Sequence, residues 1–125
     1  MTPREIEKII RKLLEERFER LLPEREIQFG IGNGCRHRFD CVSDKNEIVC
    51  EVKACNFTTE QSYRTTQRWR ILADYFLLEK LPATAKVRIL VLTDKTIHRR
   101  FLEDFGAVLN QEKVRVEHIY LTPKT

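Results

Sequence analysis

Asp40, Glu51 and Lys53 fall within one short stretch, Arg38-Phe-Asp-Cys-Val-Ser-Asp-Lys-Asn-Glu-Ile-Val-Cys-Glu-Val-Lys53. Side chains alternate along a strand, so Glu51 and Lys53 project from the same face. Their neighbours Ile48, Val49, Cys50, Val52 and Ala54 are all apolar, which marks the strand as interior. A carboxylate and an ammonium are expensive in such a strand unless they are paired or hold an ion. Asp40 interrupts the preceding strand in the same way, between Phe39 and Cys41, and a turn near residues 44 to 46 brings it close to Glu51. Two neighbouring carboxylates repel each other. A hard divalent cation such as Mg2+ relieves that repulsion, keeps several waters and leaves room for a phosphate. It also acidifies a bound water and screens charge on a phosphorane-like transition state. Lys53, protonated beside the acids, would steady the attacking water or the developing charge.

Apolar spacing supplies the elements that position these residues. Residues 3 to 22 read as an amphipathic helix, with Thr2 as N-cap, Pro3 at the first position and Glu5 at capping-box spacing. Ile6, Ile10, Leu13, Leu14 and Leu21 share a face, and Pro23 stops the pattern. Strands are expected at Glu26 to Ile31, Arg36 to Ser43 and Glu47 to Ala54, joined by turns at Gly32-Asn33-Gly34 and Asp44-Lys45-Asn46. They form an antiparallel meander. Thr58 or Thr59 caps a helix running to about Leu81, with Pro82 closing it. Lys86 to Thr93 reads as a central strand, Ile97 to Leu109 as a third helix and Val114 to Leu121 as a last strand. The order is αβββαβαβ, in one mixed α/β domain spanning residues 1 to 125.

An Asp, ten intervening residues and then Glu-Val-Lys inside an αβββαβ order resembles the PD-(D/E)XK nuclease superfamily, in particular its Holliday-junction-resolvase-like and restriction-endonuclease-like members. The resemblance covers residues from about 5 to 94, with Phe39 standing where the namesake proline would be. It implies a restriction-endonuclease-like core with an added αβ unit, a mixed central sheet flanked by helices, and Mg2+- or Mn2+-dependent phosphodiester hydrolysis. It makes Asp40 and Glu51 metal ligands, Lys53 the catalytic lysine and the Val52 carbonyl an extra ligand.

Many such nucleases take a further glutamate from the first helix. Helical projection puts Glu7 about 60° from the apolar face centre, while Glu5, Glu16 and Glu19 point well away. Glu7 is therefore the candidate third acid and metal ligand, weighed against a solvated residue at the helix rim. In the second helix, projection turns Trp69, Leu72 and Phe76 inward together with Gln61 and Thr65, and turns Gln67 away. Gln61 is a candidate catalytic residue, as a helix glutamine is in some branches of the superfamily; a role in the first turn of the helix is the alternative.

Lys plus Arg number 23 against 19 Asp plus Glu, a net charge of +4. That modest surplus admits an anionic partner without requiring one. Arg36, His37 and Arg38 beside Asp40, with Arg64, Arg68 and Arg70 on the second helix, are the candidate phosphate contacts; a solvated charged face is the plain alternative. His98 and His118 have no ligand-like spacing, and Trp69 and the seven Phe read as core. Four cysteines at 35, 41, 50 and 55 match no zinc pattern and read as reduced thiols, with Cys41 and Cys50 buried. Gly30-Ile-Gly-Asn-Gly34 lacks dinucleotide-loop spacing and precedes a strand. The longest aliphatic run, Ile89 to Leu92, is far short of a membrane span, and no secretory leader is visible, so a cytoplasmic protein is expected.

Three functions fit these features. The first is a DNA endonuclease, working as a homodimer or recruited by another subunit. The second is a non-cleaving nucleic-acid- or protein-binding module on the same fold. The third is a structural domain with an in-strand ion pair. Apolar neighbours around Glu51 and Lys53 speak against the third, and a retained acidic pair facing phosphate speaks against the second.

Overall fold

The computed structural model describes residues 1–54 and 60–121; Cys55 and the Thr58/Thr59 cap lie outside the described residues. Helix α1 runs Pro3–Phe18. Thr2 caps it, its Oγ1 accepting from the Glu5 N–H at 3.2 Å, and Pro3 needs no partner for its missing N–H. The helix ends at Phe18, four residues before the apolar pattern does. Glu19 turns left-handed (φ 54°), and Glu15 Oε2 accepts the Leu22 N–H at 2.8 Å. This bend buries Leu22 and leaves Leu21 79% exposed. Ile6, Ile10 and Leu14 form the buried stripe, whereas Leu13 is exposed.

Strands β1 (Arg25–Phe29) and β2 (Cys35–Phe39) pair antiparallel as a two-stranded sheet, Arg25 opposite Phe39 and Phe29 opposite Cys35. Their turn uses positive φ at Gly30, Gly32 and Asn33. A second sheet has the order β3-β4-β5-β6, formed by Cys41–Val42, Ile48–Lys53, Val87–Leu92 and Arg115–His118. β3 and β4 are antiparallel, while β4, β5 and β6 are parallel, so the sheet is mixed. The expected single strand over residues 36 to 43 is therefore two strands in two sheets, separated at Asp40. The meander is broken there because Asp40 makes side-chain bonds where ladder bonds would continue.

Helix α2 runs continuously through Glu60–Ser62, a π-helical segment Tyr63–Gln67 and Arg68–Glu79; α3 is Lys95–Phe105, capped by Asp94. Helices cover both faces of the sheet. On one face α1 packs Ile6, Ile10 and Leu14, with Leu22, against Cys41, Ile48, Cys50, Val52, Ile89 and Val91. On the other, α2 and α3 pack Ile71, Tyr75, Leu78 and Phe101 against Val49, Leu90 and Leu92. Each such aliphatic side chain contributes about 1.5–3 kcal/mol on burial. Alternation along β4 then fixes the site: Ile48, Cys50 and Val52 face α1, so Glu51 and Lys53 face α2.

The inward face of α2 differs from the projected one. Ile71, Asp74, Tyr75 and Leu78 are its buried residues, with Tyr63 in the π segment, while Trp69 is 51% and Phe76 39% exposed. Trp69 packs edgewise on Phe105 of α3 rather than in the core. Two causes are visible. The five-residue π segment shifts the helical phase, and the true stripe contains a charge, Asp74, that apolar scoring turns outward.

The end of α2 is secured by Arg88, buried on β5. Its Nε donates to Ala85 O (2.7 Å), Nη1 to Leu78 O (3.0 Å) and Glu79 O (2.8 Å), and Nη2 to Pro82 O (3.0 Å). One guanidinium thus satisfies four carbonyls at the helix exit. Among the described residues, no helix is long and apolar enough to cross a membrane.

Candidate metal and phosphate site

The β3–β4 register, Cys41 opposite Cys50 and Val42 opposite Val49, carries Asp40 to Glu51 at the next step. At that step side chains replace the ladder. Asp40 N–H donates to Glu51 Oε1 at 3.0 Å, and Val52 N–H donates to Asp40 Oδ2 at 2.8 Å. The N–H and C=O of one strand residue point to the same side, so the Val52 carbonyl lies on the Asp40 edge of β4. Arg11 of α1 reaches Asp40 from the other sheet face, its Nη2 donating to the Asp40 carbonyl at 2.9 Å.

Two more side chains complete the cluster. His37, on the β1–β2 hairpin, lies 2.7 Å from Glu51 Oε2 through its Nε2, with its ring edge-on to Phe39. Asp74, on α2, forms an ion pair with Lys53. His37, Glu51 and Asp74 each offer one donor atom, and these atoms all lie within 4.8 Å of one another.

Electrostatics follow from burial. Glu51 is 5% exposed. Burial pushes its carboxyl up to about 7; the His37 hydrogen bond opposes this, and Asp40 and Asp74 reinforce it. His37 is raised mainly by its bond to Glu51, against the opposing effect of burial. Burial would lower Lys53, but the bond to Asp74 and the charges of Asp74, Glu51 and Asp40 outweigh it, so Lys53 is raised and stays an ammonium. Glu7 of α1 is raised by burial and then by the charges of Asp40 and Glu24, and it lines a cleft with Arg4, Lys8, Arg11 and Glu24 rather than joining the His37, Glu51 and Asp74 group.

The donor chemistry fits a divalent cation. A buried carboxyl that resists ionisation beside two further acids gains most from a compensating positive charge. Carboxylate oxygens suit Mg2+ and Mn2+, and the His37 imidazole tilts the set towards a transition metal. Glu51, His37 and Asp74 supply the donor atoms that lie together on the α2 face, and Asp40 and the Val52 carbonyl lie beside them at the β3 edge of β4.

The other candidate residues are distributed as follows. Gln61 is exposed at the start of α2. Gln67, which projection turns away, instead lines a pocket of about 150 Å³ with Lys53, Ala54, Arg70 and Ile71. Arg36 and Arg64 are exposed. Arg38 is ion-paired with Glu24. Arg68 stacks over the Trp69 ring at 4.7 Å. His37, grouped by sequence with the phosphate contacts, is occupied by Glu51. His98 and His118, distant in sequence, bring their rings within 5.8 Å.

Sequence reasoning missed Asp74 and the role of His37. The signal for Asp74 was available: a charge between Ile71 and Leu78 in an apolar stripe is the pattern that singles out Glu51. No protein-family model, curated protein or solved structure matches this chain.

Proposed function

We propose that this chain is a metal-dependent nuclease hydrolysing phosphodiester bonds, with DNA as its main substrate and Mg2+ or Mn2+ as its ion. The observation that carries the reading is the meeting of Asp40, Glu51, Asp74, His37 and Lys53 around β4, with Glu51 nearly out of solvent. A structural ion pair would need two charges; this cluster gathers three acids, an imidazole and an amine. When bound, a divalent ion supplies positive charge to the phosphate and an acidified water.

Asp40, Glu51, Asp74 and His37 would hold the ion, with Glu7 and the Val52 carbonyl on the Asp40 side. Asp74 keeps Lys53 charged and fixes its amine near Glu51, from where it would orient the attacking water and meet charge developing on the phosphate oxygens. Without an ion, His37 shares a proton with Glu51 and orients that carboxylate; that proton would give way to the ion. Cutting two strands of a duplex calls for two such sites, which favours a homodimer or recruitment by another subunit. A cytoplasmic setting suits this activity.

The test is incubation of linear, branched, nicked and single-stranded DNA with Mg2+ or Mn2+. Cleavage is expected, lost with EDTA and reduced about 10²- to 10³-fold by Lys53→Ala. One observation favours a non-cleaving binding module on the same fold: the Lys53 amine is already paired with Asp74, and both Glu51 oxygens already meet protein donors. DNA binding without cleavage of any substrate under either ion would select that module.

A further inference from the structure

We propose that the cleft beside the first turns of α1 holds the phosphates flanking the scissile one, through Arg4, Lys8 and Arg11. For the identity of the strand this rests on the nuclease reading; for the binding surface it rests on the cleft itself.

The cleft has a volume of about 310 Å³, and Arg4, Lys8 and Arg11 line it with Glu7 and Glu24. Residues spaced i, i+4 and i+7 fall along one helix face, so the three cations form a ridge about 10 Å long. Two neighbouring phosphates on a strand fit that length. Three cations face two acids here, and Glu24 is already paired with Arg38, which adds a fourth cation at the rim. The surplus is positive.

The ridge is joined to the candidate metal site. Arg11 bonds the Asp40 carbonyl at 2.9 Å, and Glu7, in the cleft wall, feels the Asp40 charge. Arg11 is the link: it lines the cleft and bonds Asp40, so a strand with one phosphate at Asp40 would reach the cleft by continuing to the α1 side. Arg4 and Lys8 are exposed. Of the arginines that sequence grouping assigned to phosphate, Arg38 lies at this cleft through Glu24, whereas Arg68 is engaged elsewhere, on Trp69.

The experiment measures binding of a fluorescein-labelled 20-base-pair duplex, and of the matching single strand, in EDTA as a function of salt. Arg4→Glu with Lys8→Glu should weaken binding at least tenfold and flatten the salt slope by about 2, one for each phosphate left unneutralised. Lys86→Glu with Lys113→Glu makes the same change in net charge beyond the opposite end of the parallel strands. It should shift affinity less than threefold. Both pairs are exposed, and unchanged melting temperatures would show the variants folded. Equal losses from the two pairs, or none from Arg4 and Lys8, would overturn the cleft. Cleavage in Mn2+ separates the two readings. Ridge-dependent binding without cutting leaves the cleft and removes the nuclease. Cutting with ridge-independent binding does the reverse, and no binding by the wild type removes the cleft outright.

Discussion

Glu51 and His37, 2.7 Å apart, hold their proton more tightly in the folded protein than either would in the unfolded chain. Glu51 rises from an ordinary 4.5 to about 7, so its contribution falls as pH climbs through that interval and is level above it. His37 is raised from 6.5, so its contribution is complete below 6.5 and lost as pH passes its raised value. The two effects have the same sign. Metal-free protein should therefore melt at falling temperature as pH climbs from about 4.5 through about 7, on the order of 3 kcal/mol from Glu51 with His37 adding in the same direction, and Glu51→Gln should flatten most of the fall. Thermal melts across pH check this; a level wild-type profile contradicts it. Metal binding must displace the proton, so Mn2+ should raise the melting temperature more at about pH 8 than at about pH 6. Indifference to the ion at both values would remove His37, Glu51 and Asp74 as ligands.

Among the elements, α2 depends on a residue outside it. Replacing Arg88 by Met keeps the apolar stem but orphans the carbonyls of Glu79 and Ala85, and takes one of their donors from those of Leu78 and Pro82, which keep the Leu81 and Ala85 N–H. A loss of about 3 kcal/mol is expected, read as a lower urea midpoint with an unchanged slope. A change below about 0.5 kcal/mol would show that water replaces the guanidinium. Element order, the Thr2 cap and the meeting of Asp40 with Glu51 were legible in the sequence, because alternation, Pro and Gly are local signals. Three features were not. The split at Asp40 arises from bonds to Glu51 and Val52, which local pattern does not encode. The end of α1 is set by a left-handed Glu19 and by the Glu15 carboxylate, where no glycine announces it. The face of α2 was misjudged because Trp69 and Phe76 outweigh an inward Asp74 in any apolar projection.

At the scale of the whole molecule, Asp40 lies on the seam between the two sheets. The hairpin on one side of that seam brings His37, the four-stranded sheet on the other brings Glu51 and Lys53, and α1 reaches across with Arg11. One small consequence concerns the Val52 amide. It belongs to an interior strand, yet its acceptor is the Asp40 carboxylate. Deuterium uptake at this single nitrogen thus reports whether the two sheets are latched. In Asp40→Ala it should quicken sharply while Val49 and Cys50 stay protected, giving an isotopic gauge of latching that needs neither ion nor substrate.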